Sequence, residues 1–186
     1  MKETCTNGRA ELSYEQLAQY HNGEEPVAFI HEHLATLYFI VREFDATSVL
    51  EIGTGNGAST LTFAEAGAKV LSVDIEDCED AKNLIKSSML TGQVDFMKGR
   101  SENLEFDKDQ SFDIVFLDGD HTYQQVTLEL NKFAHLANKF IILHDITNPS
   151  HKGVDQAVIE FRRKNTDWTY YQWFNNNGLA VLARRV

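Results

Sequence analysis

The chain has 186 residues, 42% of them hydrophobic and 11% aromatic, which suits one folded domain and argues against a disordered chain. Its formal net charge of −11 argues against nucleic acid as a partner. Two cysteines give no disulfide framework, no apolar run approaches the ~20 residues of a membrane span, and the first residues lack the apolar core of a signal peptide. We therefore expect a cytoplasmic protein without membrane contact.

The N-terminal part of the chain predicts helices. Residues 11–21 can form a short helix, and NGEEP at 22–26 is typical of a helix start, with proline and two acids in the first turn. Apolar residues then recur at helical spacing, at Val27, Ile30, Leu34, Leu37 and Val41. We predict a helical extension over residues 1–44 of a single domain spanning 1–186. Its apolar stripe predicts either a cover for a functional site or a homodimer contact.

From residue 48 onward, short apolar runs alternate with amphipathic segments. The predicted strands are 48–52, 69–74, 93–97, 112–118, 139–145, 168–174 and 178–185, and the predicted helices are 57–66, 79–90, 122–137 and 153–164. Apolar strands that alternate with helices indicate a parallel sheet covered on both faces. NNN between the last two strands predicts a hairpin, so the last strand is expected to be antiparallel. The predicted fold class is α/β, a doubly wound Rossmann-like sheet of about seven strands.

The stretch VLEIGTGNGAST, residues 49–60, places three glycines between a predicted strand and a predicted helix. Such a turn lets a ligand lie against bare backbone and directs free N–H groups at it. Gly53, Gly55 and Ala58 match the dinucleotide spacing G-x-G-x-x-A, but S-adenosylmethionine (SAM) uses the same kind of turn. Glu51 favours SAM, because a carboxylate repels a pyrophosphate and attracts a cationic sulfonium or amino group.

Unusual polar residues concentrate at the carboxyl ends of the predicted strands, where ligands bind in open parallel sheets. These residues are Glu51 to Gly57, Asp74, Gly99 to Glu102, Asp118 to His121, and His144 to Asp145. Asp74 ends the second strand, where an acid can accept both hydroxyls of a ribose. Since SAM and a dinucleotide both contain that ribose, Asp74 does not discriminate between them.

The motifs VLEIGTGNGAST, VLSVDIE, GRSENL, FDIVFLDGDHTYQQV and IILHDI follow one another in this order. Together they resemble the class I SAM-dependent methyltransferases, and more narrowly a small O-methyltransferase-like branch with DGDH-Y and HD motifs. The resemblance runs from about residue 30 to the C-terminus. It implies methyl transfer from SAM to a small-molecule acceptor, at an oxygen nucleophile.

The resemblance also implies a cofactor site formed by Glu51, Gly53, Thr54, Gly55, Asp74, Ile75, Ser101 and Asp118. Glu51, Gly53 and Gly55 would line the methionine end of SAM, and Asp118 would lie under the sulfonium or face the acceptor. Asp74 would hold the ribose with Ile75 beside the adenine, and Ser101 would lie near the adenine edge. Many relatives carry an acid where this chain has Arg100, so the adenine contact differs at that position.

A second constellation comes from two strand ends that should be neighbours: Asp118, Asp120, His121, His144 and Asp145. Carboxylates and imidazole can hold a divalent cation, which lowers the pKa of an acceptor hydroxyl. The resemblance to catechol-type O-methyltransferases assigns a metal, magnesium or manganese, to Asp118, His144 and Asp145. A histidine among these ligands also makes a borderline metal an option.

Two other interpretations of this constellation stay open. His144 or His121 can act as a general base without a metal, with Asp118 as the third candidate catalytic residue. The acids and histidines can instead be purely structural. For the whole chain, the alternatives to a methyltransferase are an NAD-type oxidoreductase, for which no nicotinamide motif is visible, and a cofactor-binding module without turnover.

Overall fold

The N-terminal helix is the first element of the computed structural model, which describes residues 30–185. The helix predicted over 11–21 and the start of the predicted extension lie outside the described residues. A 3-10 turn, His31–His33, leads into helix α1 (Leu34–Glu43). The described part of the apolar stripe is confirmed, because Ile30, Leu34, Leu37 and Val41 are all buried. No helix within 30–185 is long and apolar enough to cross a bilayer.

Strands and helices alternate through the rest of the described chain. The strands are β1 (Ser48–Ile52), β2 (Lys69–Asp74), β3 (Val94–Lys98), β4 (Phe112–Leu117), β5 (Ala137–His144), β6 (Trp168–Trp173) and β7 (Leu179–Arg184). The helices after α1 are α2 (Ala58–Glu65), α3 (Glu79–Ser87), α4 (Tyr123–Phe133) and α5 (Lys152–Lys164). Three helices end earlier than predicted: α2 by one residue, α3 by three and α4 by four. Met89 adopts a positive φ of 59° just after α3, and a 3-10 turn, Ala134–Leu136, follows α4 directly.

One seven-stranded sheet has the order β3-β2-β1-β4-β5-β7-β6. The first five strands in this order pair in parallel, and β7 pairs antiparallel with both β5 and β6. The predicted fold class and the reversed last strand are confirmed. Strand order reverses between β1 and β4, and ligands of doubly wound sheets bind outside the carboxyl ends of strands at such a switch point.

Two hydrophobic clusters hold the helices against the two faces of the sheet. Helices α1 and α2, with part of α3, pack on one face, where Phe63 contacts Phe116. Helices α4 and α5 cover the other face, where Phe133 and Ile141 are fully buried. Burying one such side chain stabilises the fold by roughly 1.5–3 kcal/mol. The two covered faces therefore give the strand ends of the switch point a rigid support.

An apolar groove lies away from the switch point, between α1 and the β6–β7 hairpin. Phe39 and Phe44 of α1 and Tyr171 and Trp173 of β6 are among its lining residues, and the groove encloses about 920 Å³. These four side chains are each more than a third exposed. The homodimer contact expected for the N-terminal region stays a prediction.

Candidate functional site

The glycine turn after β1 is shaped by two close backbone approaches. Gly53 has a φ of +98°, and a Cβ there would collide with the backbone oxygen of Asp118 and lie 2.8 Å from the nitrogen of Gly119. A Cβ on Gly57 would lie 2.7 Å from Cβ of Ala81 in α3. Side chains are therefore excluded at these two positions by the protein itself, without any ligand.

Gly55 differs from its two neighbours, because a Cβ there would meet no atom within 4 Å. The turn opens at this point onto a cavity of about 300 Å³ at the carboxyl ends of β1, β2 and β4. Six of the eight expected cofactor residues line this cavity: Gly53, Gly55, Asp74, Ile75, Ser101 and Asp118. The structure thus brings together most of the site that the sequence predicts.

Asp74 is fixed at the edge of this cavity by backbone donors. Its Oδ2 accepts hydrogen bonds from the backbone N–H groups of Thr54 (2.9 Å) and Gly55 (3.1 Å), and its Oδ1 accepts one from Glu76 (2.9 Å). Two carboxylate oxygens offer about four lone-pair positions. Three donors therefore orient the carboxylate and still leave it acceptor capacity for a hydroxyl group in the cavity.

The structure does not bring Glu51 to the cavity. Side chains alternate along a strand, so Glu51 faces the α2 side of the sheet, where its carboxylate is fully buried. Its Oε2 accepts hydrogen bonds from Thr60 Oγ1 (2.5 Å) and Ser72 Oγ (2.6 Å). Burial raises the pKa of Glu51 to about 7, although hydrogen bonds from these hydroxyls oppose the shift. Glu51 therefore binds side chains of α2 and β2 and does not line the cavity.

The side chain of Thr54 also lies off the cavity, contrary to expectation. It is buried, and its Oγ1 lies 2.7 Å from Ser72 Oγ. What Thr54 contributes at the cavity edge is the backbone N–H that holds Asp74. Cys78 lies nearby, and burial and Asp74 raise its pKa to about 11, which disfavours the reactive thiolate form.

The end of the cavity expected to hold adenine contains two residues that sequence reasoning missed. Ser101 Oγ donates to Glu129 Oε1 (2.7 Å), and Gln125 Nε2 donates to Ser101 Oγ (2.7 Å) and Glu129 Oε1 (3.1 Å). Both Gln125 and Glu129 line the cavity from α4. Burial raises the pKa of Glu129. Gln125 lies about one helical turn after His121 of the DGDH motif, and Glu129 lies one turn further on. This spacing is the sequence signal that could have identified them.

The predicted metal residues form a cluster beside the cavity, and of the three only Asp118 lines it. His144 Nδ1 lies 3.3 Å from Asp118 Oδ1 and 3.6 Å from Asp145 Oδ2. One donor atom from each of these three residues lies within 4.8 Å of the others, and His144 and Asp145 are buried. His121, the other candidate base, joins the edge of the cluster with Nε2 3.2 Å from Asp145 Oδ2 and 4.0 Å from Asp118 Oδ1.

The charges in this cluster shift one another's pKa values. Burial alone lowers the pKa of His144, but the nearby carboxylates of Asp118 and Asp145 outweigh it and raise the pKa to about 10. Burial opposes the shift of Asp145, yet His144 and Asn148 lower its pKa to about 2. Burial lowers the pKa of His121, against the attraction of Asp118 and Asp145. The two carboxylates therefore favour the protonated form of His144.

Another histidine, His33, lies buried beside His144. His33 comes from the 3-10 turn before α1, and its ring centroid lies 5.6 Å from that of His144. The turn between β6 and β7 holds both rings, since His33 Nε2 lies 3.0 Å from Asn175 O and His144 Nε2 lies 3.0 Å from Asn176 O. A carbonyl only accepts, so Nε2 of His144 carries a proton and Nδ1 faces the carboxylates.

A family comparison agrees with this geometry. A sequence model of the family described as "Methyltransferase domain" matches residues 50–146, which include the glycine turn, Asp74, Asp118, His144 and Asp145. The chain belongs to this methyltransferase family. The resemblance read from the motifs and the predicted enzyme class, a SAM-dependent methyltransferase, are thereby confirmed.

The match to an individual relative covers a smaller part of this chain than the family model does. The cypemycin N-terminal methyltransferase of Streptomyces sp is 34% identical over 74 residues, which is 40% of this chain. The match spans only 29% of the length of that relative.

Solved structures share the fold of the methyltransferase. The O-methyltransferase from Bacillus cereus, solved with S-adenosylhomocysteine (SAH), has a TM-score of 0.69 at 19% identity and covers 92% of this chain and 90% of its own. The O-methyltransferase TomG from Streptomyces achromogenes, solved with SAM, has a TM-score of 0.66 at 19% identity and covers 93% and 88%. At these identities the similarity shows a common fold.

Proposed function

We propose that this methyltransferase transfers the methyl group of SAM to an oxygen of a small-molecule acceptor, with a divalent cation at Asp118, His144 and Asp145. One observation carries the proposal: Asp118 lines the cavity beside the glycine turn and also lies 3.3 Å from His144 Nδ1. A single carboxylate therefore borders both the expected methyl-donor site and the expected acceptor site.

The cavity suits SAM in size, shape and charge. Gly55 leaves its floor open, its volume of about 300 Å³ is at the lower limit of small-molecule pockets, and Asp74 keeps acceptor capacity for the ribose hydroxyls. Asp118 supplies a carboxylate that attracts a cationic sulfonium. When bound, SAM supplies the electrophilic methyl group. The chain's own residues orient the ribose at Asp74 and enclose the base near Ser101 and Glu129.

The donor atoms of Asp118, His144 and Asp145 suit a divalent cation. The donor atoms already converge: His144 Nδ1 lies 3.3 Å from Asp118 Oδ1 and 3.6 Å from Asp145 Oδ2, so a small contraction of the cluster would let all three residues hold one ion. The carbonyl oxygen of Asn176 fixes the His144 tautomer, as second-shell partners of metal-bound histidines do. With a cation at the cluster, Nδ1 of His144 would be deprotonated and would serve as a ligand atom.

The residues of the cluster would bind and orient the acceptor. A cation held by these residues would supply Lewis acidity that lowers the pKa of an acceptor hydroxyl. Fixing that oxygen next to Asp118 converts a bimolecular encounter into a positioned one, which is a large part of what methyl transfer requires. A metal-free alternative, in which His144 or His121 removes the acceptor proton, predicts activity that survives a chelator.

Calorimetry with SAH tests the cofactor part of the proposal. We expect SAH to bind the wild type, and Asp74→Ala to weaken binding at least tenfold because it removes the ribose acceptor and releases the turn. Asp109→Ala, which removes an exposed acid elsewhere, serves as the matched control. Binding of NAD in place of SAH would contradict the proposal and favour the oxidoreductase alternative.

Turnover tests the acceptor part. We expect transfer from SAM to vicinal hydroxyls such as those of a catechol, stimulated by Mg²⁺ or Mn²⁺ and suppressed by a chelator. Transfer to amines in the same panel would assign nitrogen as the nucleophile. SAH binding without transfer to any acceptor would favour the binding module without turnover.

A further inference from the structure

Asp145 belongs to a second cluster of metal-ligating side chains besides the one with Asp118 and His144. His121 Nε2 lies 3.2 Å from Asp145 Oδ2, and the ring of His151 lies 4.5 Å from the ring of His121, centroid to centroid. One donor atom each from His121, Asp145 and His151 lies within 4.8 Å of the other two. Two imidazoles therefore converge on the carboxylate of Asp145, which belongs to both clusters.

The loop after β5 carries two of these residues in a fixed arrangement. Asp145 has a left-handed φ of 61°, which costs a non-glycine residue energy and persists only where its surroundings impose it. Asn148 Nδ2 donates to Asp145 Oδ1 (2.8 Å), and the backbone N–H of His151 donates to Asn148 O (2.9 Å). These bonds leave Oδ2 of Asp145 directed at the histidines and tie His151 to the same turn.

The chemistry of the donors indicates the class of ion. Two imidazole nitrogens with one carboxylate suit borderline transition metals such as Zn²⁺, Fe²⁺ and Co²⁺, whereas Mg²⁺ prefers oxygen ligands. Three protein ligands also leave a coordination position open, as catalytic zinc sites do. The side chain of Asp145 is 9% exposed and that of His121 is 19% exposed, so little water competes for these atoms.

We propose that His121, Asp145 and His151 form a second divalent-cation site, specific for a borderline transition metal such as Zn²⁺ and sharing Asp145 with the cluster of Asp118 and His144. Its open position would take water or, if the proposed function is correct, a second oxygen of the acceptor. The existence of the site does not depend on methyl transfer, so the two proposals can fail separately.

Cobalt titration of the chelator-treated full chain tests this site, because Co²⁺ replaces Zn²⁺ and its visible absorption reports the ligands. We expect two equivalents of Co²⁺ per chain, with Zn²⁺ displacing both and Mg²⁺ displacing no more than one. His121→Asn and His151→Asn should each remove one equivalent, because loss of a ligand should lower affinity by at least the roughly 100-fold that loss of an outer-shell partner can cost. His144→Asn should remove the other equivalent, and Asp145→Asn both.

Two controls make the titration decisive. His135→Asn, which changes an exposed histidine outside both clusters, should leave both equivalents in place. Circular dichroism and SAH binding should be unchanged in His151→Asn, which shows that the fold and the cofactor cavity are intact. A single equivalent that survives both His121→Asn and His151→Asn would overturn the proposal, as would a wild type that binds no Co²⁺ or Zn²⁺.

Discussion

The carboxylate of Asp118, which lines the cavity, lies 3.3 Å from Nδ1 of His144 at the end of the neighbouring strand. Pairing of β4 with β5 in register fixes this relationship, since Leu117 is opposite Leu143. Asp118 directly follows Leu117, and His144 directly follows Leu143. Parallel pairing thus places the acid that borders the cofactor cavity against the histidine of the predicted metal cluster.

Asp118→Asn removes the negative charge of this side chain and keeps its size, so it tests whether the charge attracts SAM. Since SAM carries a cationic sulfonium and SAH a neutral thioether, we expect SAM affinity to fall about tenfold and SAH affinity much less. Asp120→Asn, an exposed acid at the same cavity, should change neither by more than about twofold. Competition binding of both ligands measures the ratio, and an equal loss for SAM and SAH would contradict this role of Asp118.

Substitution of two glycines of the turn should destabilise the fold to different extents. Gly53→Ala forces a Cβ into the backbone of Asp118, so we expect a loss of roughly 3 kcal/mol or more in the free energy of unfolding. Gly55→Asn keeps a residue that tolerates a positive φ and adds a side chain where the structure is open, so the loss should be about 1 kcal/mol.

Urea denaturation and SAH calorimetry check this pair together. We expect Gly55→Asn to fold and to lose SAH binding, because its side chain enters the cavity. Unimpaired SAH binding by Gly55→Asn would show that the ligand does not approach the turn there.

Glu51 should make stability depend on pH. Its folded pKa of about 7 exceeds the ordinary 4.5, so the folded state favours the protonated form. The stabilisation is complete below 4.5 and is lost as pH rises through about 7, with a total effect of about 3 kcal/mol. Glu51→Gln removes this titration. Relative to wild type, it should therefore be more stable at about pH 8 than at about pH 5.

Denaturation of Glu51→Gln and wild type at both pH values measures that difference. Glu105→Gln, an exposed acid, is the control and should follow the wild type at both pH values. A constant difference between Glu51→Gln and wild type across this range would mean that Glu51 is ionised in the folded protein.

Glu129 should contribute to recognition of the adenine amino group. It lies buried at the cavity with Ser101, and a carboxyl group can accept from the exocyclic amine. We expect the wild type to bind SAH more tightly than S-inosylhomocysteine, which lacks that amine, and Glu129→Ala to lose most of the preference. A lost hydrogen bond of this kind costs about 1–2 kcal/mol, roughly tenfold in affinity. An unchanged preference in Glu129→Ala would place the adenine contact elsewhere.

Much of the site could be predicted because the relevant residues follow strands directly. Strands with apolar residues on both faces can be recognised in the sequence as apolar runs. The carboxyl ends of parallel strands meet at one edge of the sheet. Asp74, Asp118, His144 and Asp145 were found in this way. Glu51 also lies in a strand, but strand alternation and the α2 helix above it turn its side chain away from the cavity.

The remaining residues could not be placed because chain order does not show their neighbours. His33 precedes α1, and His151 lies in the loop after β5. Only tertiary packing brings the first to His144 and the second to His121. Glu129 lies on a helix whose orientation over the cavity depends on packing against α5. Such long-range contacts leave no periodic pattern in the sequence.

The carbonyl oxygens of Asn175 and Asn176 have a consequence for the order of folding. They hold His33 and His144, yet they lie in the turn that precedes the last strand. Because β7 pairs between β5 and β6, the sheet closes only after nearly the whole described chain has been synthesised. The carbonyl that fixes the tautomer of His144 is therefore among the last groups of the site to be made, and a nascent chain that ends at β5 lacks it.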